Sequence, residues 1–229
     1  MVMSGKAGRT RWLRGGLFAL LIGAFGALAG CETAYYGAWE KVGVYKRDIL
    51  VDRVEEAVDA QEDAKEEFAS ALEQFASVVE VKPSKLKSTY EDLADAFEDA
   101  EGEANRVTDR IDAVEDVSED LFDEWRDEIE MIGNAKLKRS SASQLKASER
   151  KYAELIRGMR RAEAKMTPVL NTFRDHVLFL KHNLNAQAIA SLKSELTSIE
   201  SDVAGLIREM ETSIARSQAF IEEMELASG

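Results

Sequence analysis

Residues 189–224 read IASLKSELTSIESDVAGLIREMETSIARSQAFIEEM. Within this stretch Ile189, Leu192, Leu196, Ile199, Val203, Leu206, Met210, Ile214, Ser217, Ile221 and Met224 recur at steps of three and four. Such steps bring side chains back to one face of an α-helix, whereas a half-buried strand alternates every second residue. The steps alternate as in heptads, except for two consecutive fours at Leu206, Met210 and Ile214. An added four is a stutter, which locally unwinds a left-handed supercoil.

The same period extends back through the chain. Positions 50, 54, 57, 61, 64, 68, 72, 75 and 79 form a first seam, with a similar stutter at Ala64, Phe68 and Leu72. Pro83 ends that helix because its ring cannot continue the hydrogen-bond ladder, and Ser84 and Ser88 are placed to cap the next one. A second seam runs through Tyr90, Leu93, Phe97, Ala100, Ala104, Val107, Ile111, Val114, Leu121, Trp125, Ile129 and Ile132, and Gly133-Asn134 predicts a left-handed C-terminal stop. The third helix is expected to start near Ser140 to Ser143 and to present Leu145, Tyr152, Leu155, Met159, Ala162, Met166, Leu170, Phe173, Val177 and Leu180. Pro168 lies inside this run, and because the apolar phase continues across it a kink is predicted in preference to a break. His182-Asn183-Leu184-Asn185 is the turn before the fourth helix.

Four rods of about 40 residues, roughly 60 Å each at 1.5 Å per residue, joined by short turns, predict an all-α fold. The simplest assembly is an elongated antiparallel bundle of coiled-coil type. Ala57, Ala64, Ala100 and Ala104 allow close helix approach but bury little, so a homo-oligomer completing a thin core is a further expectation.

Composition agrees. The 229 residues are 45% hydrophobic and 32% charged, with two prolines and one cysteine, and seven of the fourteen glycines fall in the first thirty residues. That is too little turn chemistry for a sheet of many short strands. The net charge of −13 repels a phosphate backbone, so no nucleic-acid partner is expected.

The first thirty residues have a different character. They contain no acid, carry Lys6, Arg9, Arg11 and Arg14, and continue into an apolar run from Leu17 to Leu28 followed by Ala29, Gly30 and Cys31. A basic region, an apolar region and small residues before a cleavage point make a secretory signal peptide, and the run is shorter than the ~20 residues of a spanning helix. Leu28-Ala29-Gly30-Cys31 resembles the lipobox of bacterial lipoproteins, which implies acylation of Cys31, the only cysteine. Two or three acyl chains anchor a protein stably where one is marginal. Glu32 rather than Asp after the cysteine implies, by resemblance to the sorting rule of Gram-negative lipoproteins, the outer membrane with the bundle facing the periplasm. Without the four leader cations, 26 basic and 43 acidic side chains remain, a net of −17. The expected organisation is a signal peptide at 1–30, a lipid-anchored juxtamembrane segment at 31–47 and a helical bundle at 48–229.

Two features suggest membrane contact. Tyr35, Tyr36, Trp39 and Tyr45, interleaved with Lys41, Lys46 and Arg47, suit the membrane–water boundary; equally, Tyr35, Trp39, Val42 and Ile49 could continue the first seam and pack on the fourth helix. Lys136, Lys138 and Arg139, followed by Lys146, Arg150 and Lys151, form the densest basic stretch. In an up-down-up-down bundle the turn after helix two returns to the tethered end, where these cations could meet anionic headgroups; compensation of the helix-two C-terminus is the alternative.

The inventory for chemistry is thin. His176 and His182 are six apart and on different helix faces, no Glu-x-x-His or phosphate-binding loop occurs, and there is no Gly-x-Ser-x-Gly elbow. The acidic pairs Glu62-Asp63, Glu66-Glu67, Glu91-Asp92, Glu98-Asp99 and Glu115-Asp116 lie between seam positions and read as a solvated face. No catalytic residue, cofactor or metal site is expected.

Tyr35-Tyr36-Gly37-Ala38-Trp39-Glu40-Lys41-Val42-Gly43, Lys46-Arg47-Asp48-Ile49-Leu50-Val51-Asp52-Arg53-Val54 and Leu178-Phe179-Leu180-Lys181-His182-Asn183-Leu184-Asn185-Ala186 resemble segments of an uncharacterised proteobacterial lipoprotein family, the domain of unknown function 2959. The resemblance covers the mature chain and implies a Gram-negative envelope protein of coiled-coil type, without supplying an activity. It also directs attention to the His182–Asn185 turn as a tip that meets a partner, although capping by Asn183 or Asn185 accounts for the same residues. The functional expectation is a non-enzymatic envelope lipoprotein acting as spacer, scaffold or adaptor for another envelope protein; the alternative is a ligand- or ion-binding bundle.

Overall fold

The computed structural model describes residues 46–226. They form four helices: α1 (Lys46–Glu80), α2 (Leu86–Met131), α3 (Ala135–His182) and α4 (Ala186–Leu226), with a single 3₁₀ turn at Pro83–Lys85. The described residues contain no strand. α1 and α3 each pack against both α2 and α4, so the helices follow one another around a ring. Cross-links between neighbours fix the directions. Arg106 and Arg110 of α2 pair with Asp63 and Glu56 of α1, Arg126 and Arg174 of α2 and α3 pair with Glu149 and Glu101, and Lys151 and Arg161 of α3 pair with Glu223 and Glu209 of α4. In each set the higher number on one helix meets the lower number on the other, the signature of antiparallel neighbours. The all-α antiparallel bundle read from the seams is the fold observed.

The seams differ from the expected ones in a consistent way. In α1 the buried positions are Leu50, Val54, Ala57, Gln61, Ala64, Phe68, Ala71, Phe75 and Val78, an unbroken alternation of four and three. Ala71 is fully buried whereas Leu72 is only half-buried, so the expected stutter at Phe68 is absent. The expected stutter at Met210 in α4 is absent for the same reason. Ser213, Ser217 and Phe220 carry the heptad on from Met210, with Ile214 buried beside them. In α3, Val169 shares the seam position assigned to Leu170, and His176 and Val177, both half-buried, share the one assigned to Val177. The double step of four lies in α2 instead, at Val114, Ser118 and Phe122. Ala57, Ala64, Ala100 and Ala104 are all buried, and α1 and α2, which carry them, share the largest of the helix interfaces.

The turns also correct expectations. α1 stops at Glu80, three residues ahead of the Pro83 expected to end it. Neither Ser84 nor Ser88 caps α2; its N-cap is Lys85, and the Ser88 hydroxyl donates back to the Lys85 carbonyl at 2.9 Å. Gly133 does not adopt a left-handed conformation, and α2 ends in extended backbone at Ile132. α3 begins at Ala135, well before Ser140, because Asn134 caps it. The Asn134 side chain accepts from the amides of Lys136 at 2.9 Å and Leu137 at 3.2 Å, satisfying donors that a helix start leaves without a partner.

α3 runs unbroken through Pro168. Proline removes the donor to the carbonyl four residues back, and both Ala164 and Pro168 are exposed, so that loss falls on the solvent side. The Asn183–Asn185 turn sits where it was expected. Asn183 Nδ2 donates to the Phe179 carbonyl at 2.8 Å and Asn185 Oδ1 accepts from the Ala188 amide at 3.1 Å, closing one helix and opening the next.

Candidate functional site

α2 and α3 are charged in opposite senses. From Leu86 to Met131 there are eighteen acids and four cations; from Ala135 to Lys165 there are ten cations and three acids. The antiparallel register sets the basic part of α3 beside the acidic part of α2. Arg160 gathers three carboxylates: Nη2 meets Asp112 and Glu115, and Nη1 meets Glu163 at 2.9 Å. Hydrogen bonding to Glu115, ahead of the other two acids, holds this guanidinium well above the usual arginine range. Next to it, Tyr152 stacks edge-on to Phe122 with ring centroids 5.5 Å apart, and burial raises its phenol above the ordinary tyrosine value. Trp125 Nε1 donates to Ser141 Oγ at 2.9 Å. A small apolar cluster of Phe122, Ile129 and Leu145 fills this end of the bundle.

On the opposite side of α3 the cations are less fully matched. Lys151, Arg157 and Arg161 look toward α4, which contributes Arg216, and these four surround a cavity of about 510 Å³ floored by Leu155, Ala219 and Phe220. Lys151 pairs with Glu223, and Arg161 with Glu209 at 3.3 Å. Neither Arg157 nor Arg216 has an ion-pair partner among the described residues. Both Arg216 and Arg161 lie over Gly158. A Cβ added there would lie 3.6 Å from Cδ and Nη1 of Arg216 and 4.0 Å from Nη2 of Arg161, so two guanidiniums converge on one stretch of bare backbone. A second, adjoining cavity of about 260 Å³ shares Lys151, Phe220 and Glu223 and reaches Trp125 and Arg47. Sequence reading passed over this groove. The Arg157/Arg161 spacing puts both on one helix face, but Arg216 comes from another helix by register.

Leu28, Ala29, Gly30, Cys31, Tyr35, Tyr36 and Trp39 lie outside the described residues. Of the cations linked to the aromatic segment, Lys46 pairs with Glu124 at 3.0 Å and the Arg47 guanidinium lies 6.0 Å from the centre of the Trp125 ring. Ile49 is buried, as its seam reading required. Lys136 and Arg139 are exposed in the first turns of α3, while Lys138 Nζ bonds the Glu130 carboxylate at 2.8 Å and reaches its carbonyl at 3.5 Å. Lys138 thereby compensates the C-terminal turn of α2, where backbone carbonyls carry partial negative charge. All three lie at the end of the bundle where α1 begins, since Trp125 touches both Arg47 and Ser141.

The acidic pairs stay at or near the surface. Glu67 faces Asp99, Glu103, Glu66 and Asp63, and partial burial, ahead of these like charges, raises its carboxyl above the usual value. Among the described residues no three His, Cys, Asp or Glu side chains are grouped to hold a metal ion. None of their helices is long and apolar enough to cross a membrane.

His176 is half-buried with its ring 5.1 Å from that of Phe75. Burial lowers its pKa, against the opposing pull of Glu195 and Asp175. The fold therefore favours neutral imidazole, a contribution present above the ordinary histidine pKa and lost as pH falls through the lower folded-state value. A melt at pH 8 compared with one at pH 5.5 should show a larger drop for wild type than for His176→Gln; equal drops would mean that His176 stays solvated in both protonation states.

The molecule thus defined is a heptad-patterned four-helix bundle with a charged surface and a cationic groove between α3 and α4. The chain belongs to the family described as protein of unknown function (DUF2959), whose sequence profile matches residues 35–224. No curated protein matches it.

Proposed function

We propose that this protein is a non-enzymatic lipoprotein of the bacterial envelope, held by acyl chains on Cys31 in the outer membrane, with its bundle serving as a periplasmic spacer or scaffold that docks another envelope protein or a second copy of itself. The observation that carries this reading is the order of features along the chain. A basic segment, an apolar run of about a dozen residues and Leu28-Ala29-Gly30-Cys31 come immediately before a long helical domain. Four helices of 35, 46, 48 and 41 residues suit a reach of several tens of ångströms, at ~1.5 Å per residue. The basic turn around Lys136 and Arg139 shares that end with the start of α1 and adds attraction to anionic headgroups.

The test is Cys31→Ser in the native host, with labelling by an alkyne analogue of palmitate followed by membrane fractionation. Wild type is expected to take up the label and sediment with the outer membrane, and the variant to lose both label and membrane association. An unlabelled wild type, or a variant that stays on the membrane, overturns the anchor. The second reading, a ligand-binding bundle, is favoured by the cavity between α3 and α4.

A further inference from the structure

We propose that the groove between α3 and α4 binds an anionic amphiphile, with its phosphate-bearing head on Arg157, Arg161 and Arg216 and its apolar part against Leu155 and Phe220. The inference stands apart from the anchor reading, because every residue it uses lies in α3 or α4.

Charge is the first argument. A chain with a net charge of −13 repels anions over most of its surface, so an anion is held only where cations outnumber acids locally. Five arginines elsewhere in the bundle, Arg106, Arg110, Arg126, Arg160 and Arg174, are matched to acids of a neighbouring helix. Here Arg157 and Arg216 have no such acid, and Arg216 and Arg161 converge on Gly158. Two guanidiniums brought together in this way repel each other, and a bound anion reverses the sign of that interaction. The planar fork of each guanidinium matches two oxygens of a phosphate.

Shape is the second. A volume of about 510 Å³ falls within the ~300–1,000 Å³ common for small-molecule sites, which in bundles lie between helices. A bare phosphate would leave the apolar floor unused, whereas a headgroup with its first acyl carbons covers both halves. Glu154 and Glu223 also border the groove. Glu223 is engaged by Lys151, which limits its repulsion of an incoming anion.

The experiment is thermal melting of the purified full-length chain in a neutral detergent, followed by far-ultraviolet circular dichroism. The probes are phosphatidylglycerol, phosphatidylcholine and inorganic phosphate. Phosphatidylglycerol is expected to raise the melting temperature by about 5 °C at saturation, with little or no rise from the other two. The double variant Arg157→Ala/Arg216→Ala should keep its helicity and lose the shift. Gly158→Glu, which sets a carboxylate between the guanidiniums, should lose it as well and serves if the double variant folds poorly. Lys136→Gln/Lys138→Gln/Arg139→Gln should retain the shift. An equal rise with phosphatidylcholine, no rise with any probe, or a shift that survives in Gly158→Glu overturns the site. Loss of the shift in the Lys136 variant moves it to the basic turn. A phosphate response as large as that to phosphatidylglycerol would make the ligand a free anion and overturn the amphiphile.

Discussion

Phe75→Ala is expected to destabilise the bundle by about 3–5 kcal/mol, the range for truncating a buried phenylalanine. Phe75 on α1 and Phe173 on α3 are both fully buried, and their rings meet edge-to-face at 6.3 Å. α1 and α3 are diagonal in the ring of helices, so this pair spans the centre of the core, where no single helix can move in to fill the gap. Truncation loses the apolar transfer energy, leaves a cavity and removes an aromatic pair that adds about 0.5–1.5 kcal/mol beyond area. It also uncovers His176, whose ring lies 5.1 Å from that of Phe75. Urea denaturation read by circular dichroism measures the effect, and Phe75→Leu should keep most of the stability because it keeps most of the volume. A cost below about 1 kcal/mol for the alanine variant would show that this layer collapses on truncation and does not organise the core.

The helices were legible because each seam repeats over five or more turns, long enough for a period of three and four to stand clear of a period of two. What the sequence concealed was which residue holds a seam position when a large apolar neighbour sits beside it. Leu72 and Ile214 drew the seam aside from Ala71 and Ser213, since apolar character weighs more than spacing when residues are read one at a time. In the folded bundle, spacing wins: a left-handed supercoil keeps an unbroken heptad on the partner, and a small residue there permits close approach. The helix ends failed for a local reason. A serine signals a cap only if its hydroxyl accepts from the new helix, and Ser88 instead donates to the Lys85 carbonyl. Asn134 caps α3, and in the sequence it reads equally well as the residue closing α2. The groove was hidden more deeply, because Arg157 and Arg216 are brought together only by the register of α3 on α4.

Gln61→Leu is expected to stabilise the protein by about 1–3 kcal/mol, the cost of a buried polar group without a partner. Gln61 occupies a seam position of α1 and is fully buried. Its Nε2 donates to the Ala57 carbonyl at 3.2 Å, an oxygen that already accepts the Gln61 amide in the helix ladder. No described protein donor reaches its Oε1, and on the neighbouring α4 the buried Ser213 Oγ is likewise without a protein partner. Leucine fills a similar volume with no group to desolvate, so the urea midpoint should rise at unchanged slope. A polar residue at a core position penalises every alignment in which it meets only hydrocarbon, and so fixes register at a cost in stability. Gln61→Leu should accordingly gain stability while admitting alternative alignments, seen by light scattering as larger species at high concentration. A fall in stability instead would establish that Oε1 is hydrogen-bonded in solution, through a buried water shared with the core, and would make this layer a satisfied network and no longer a strained one.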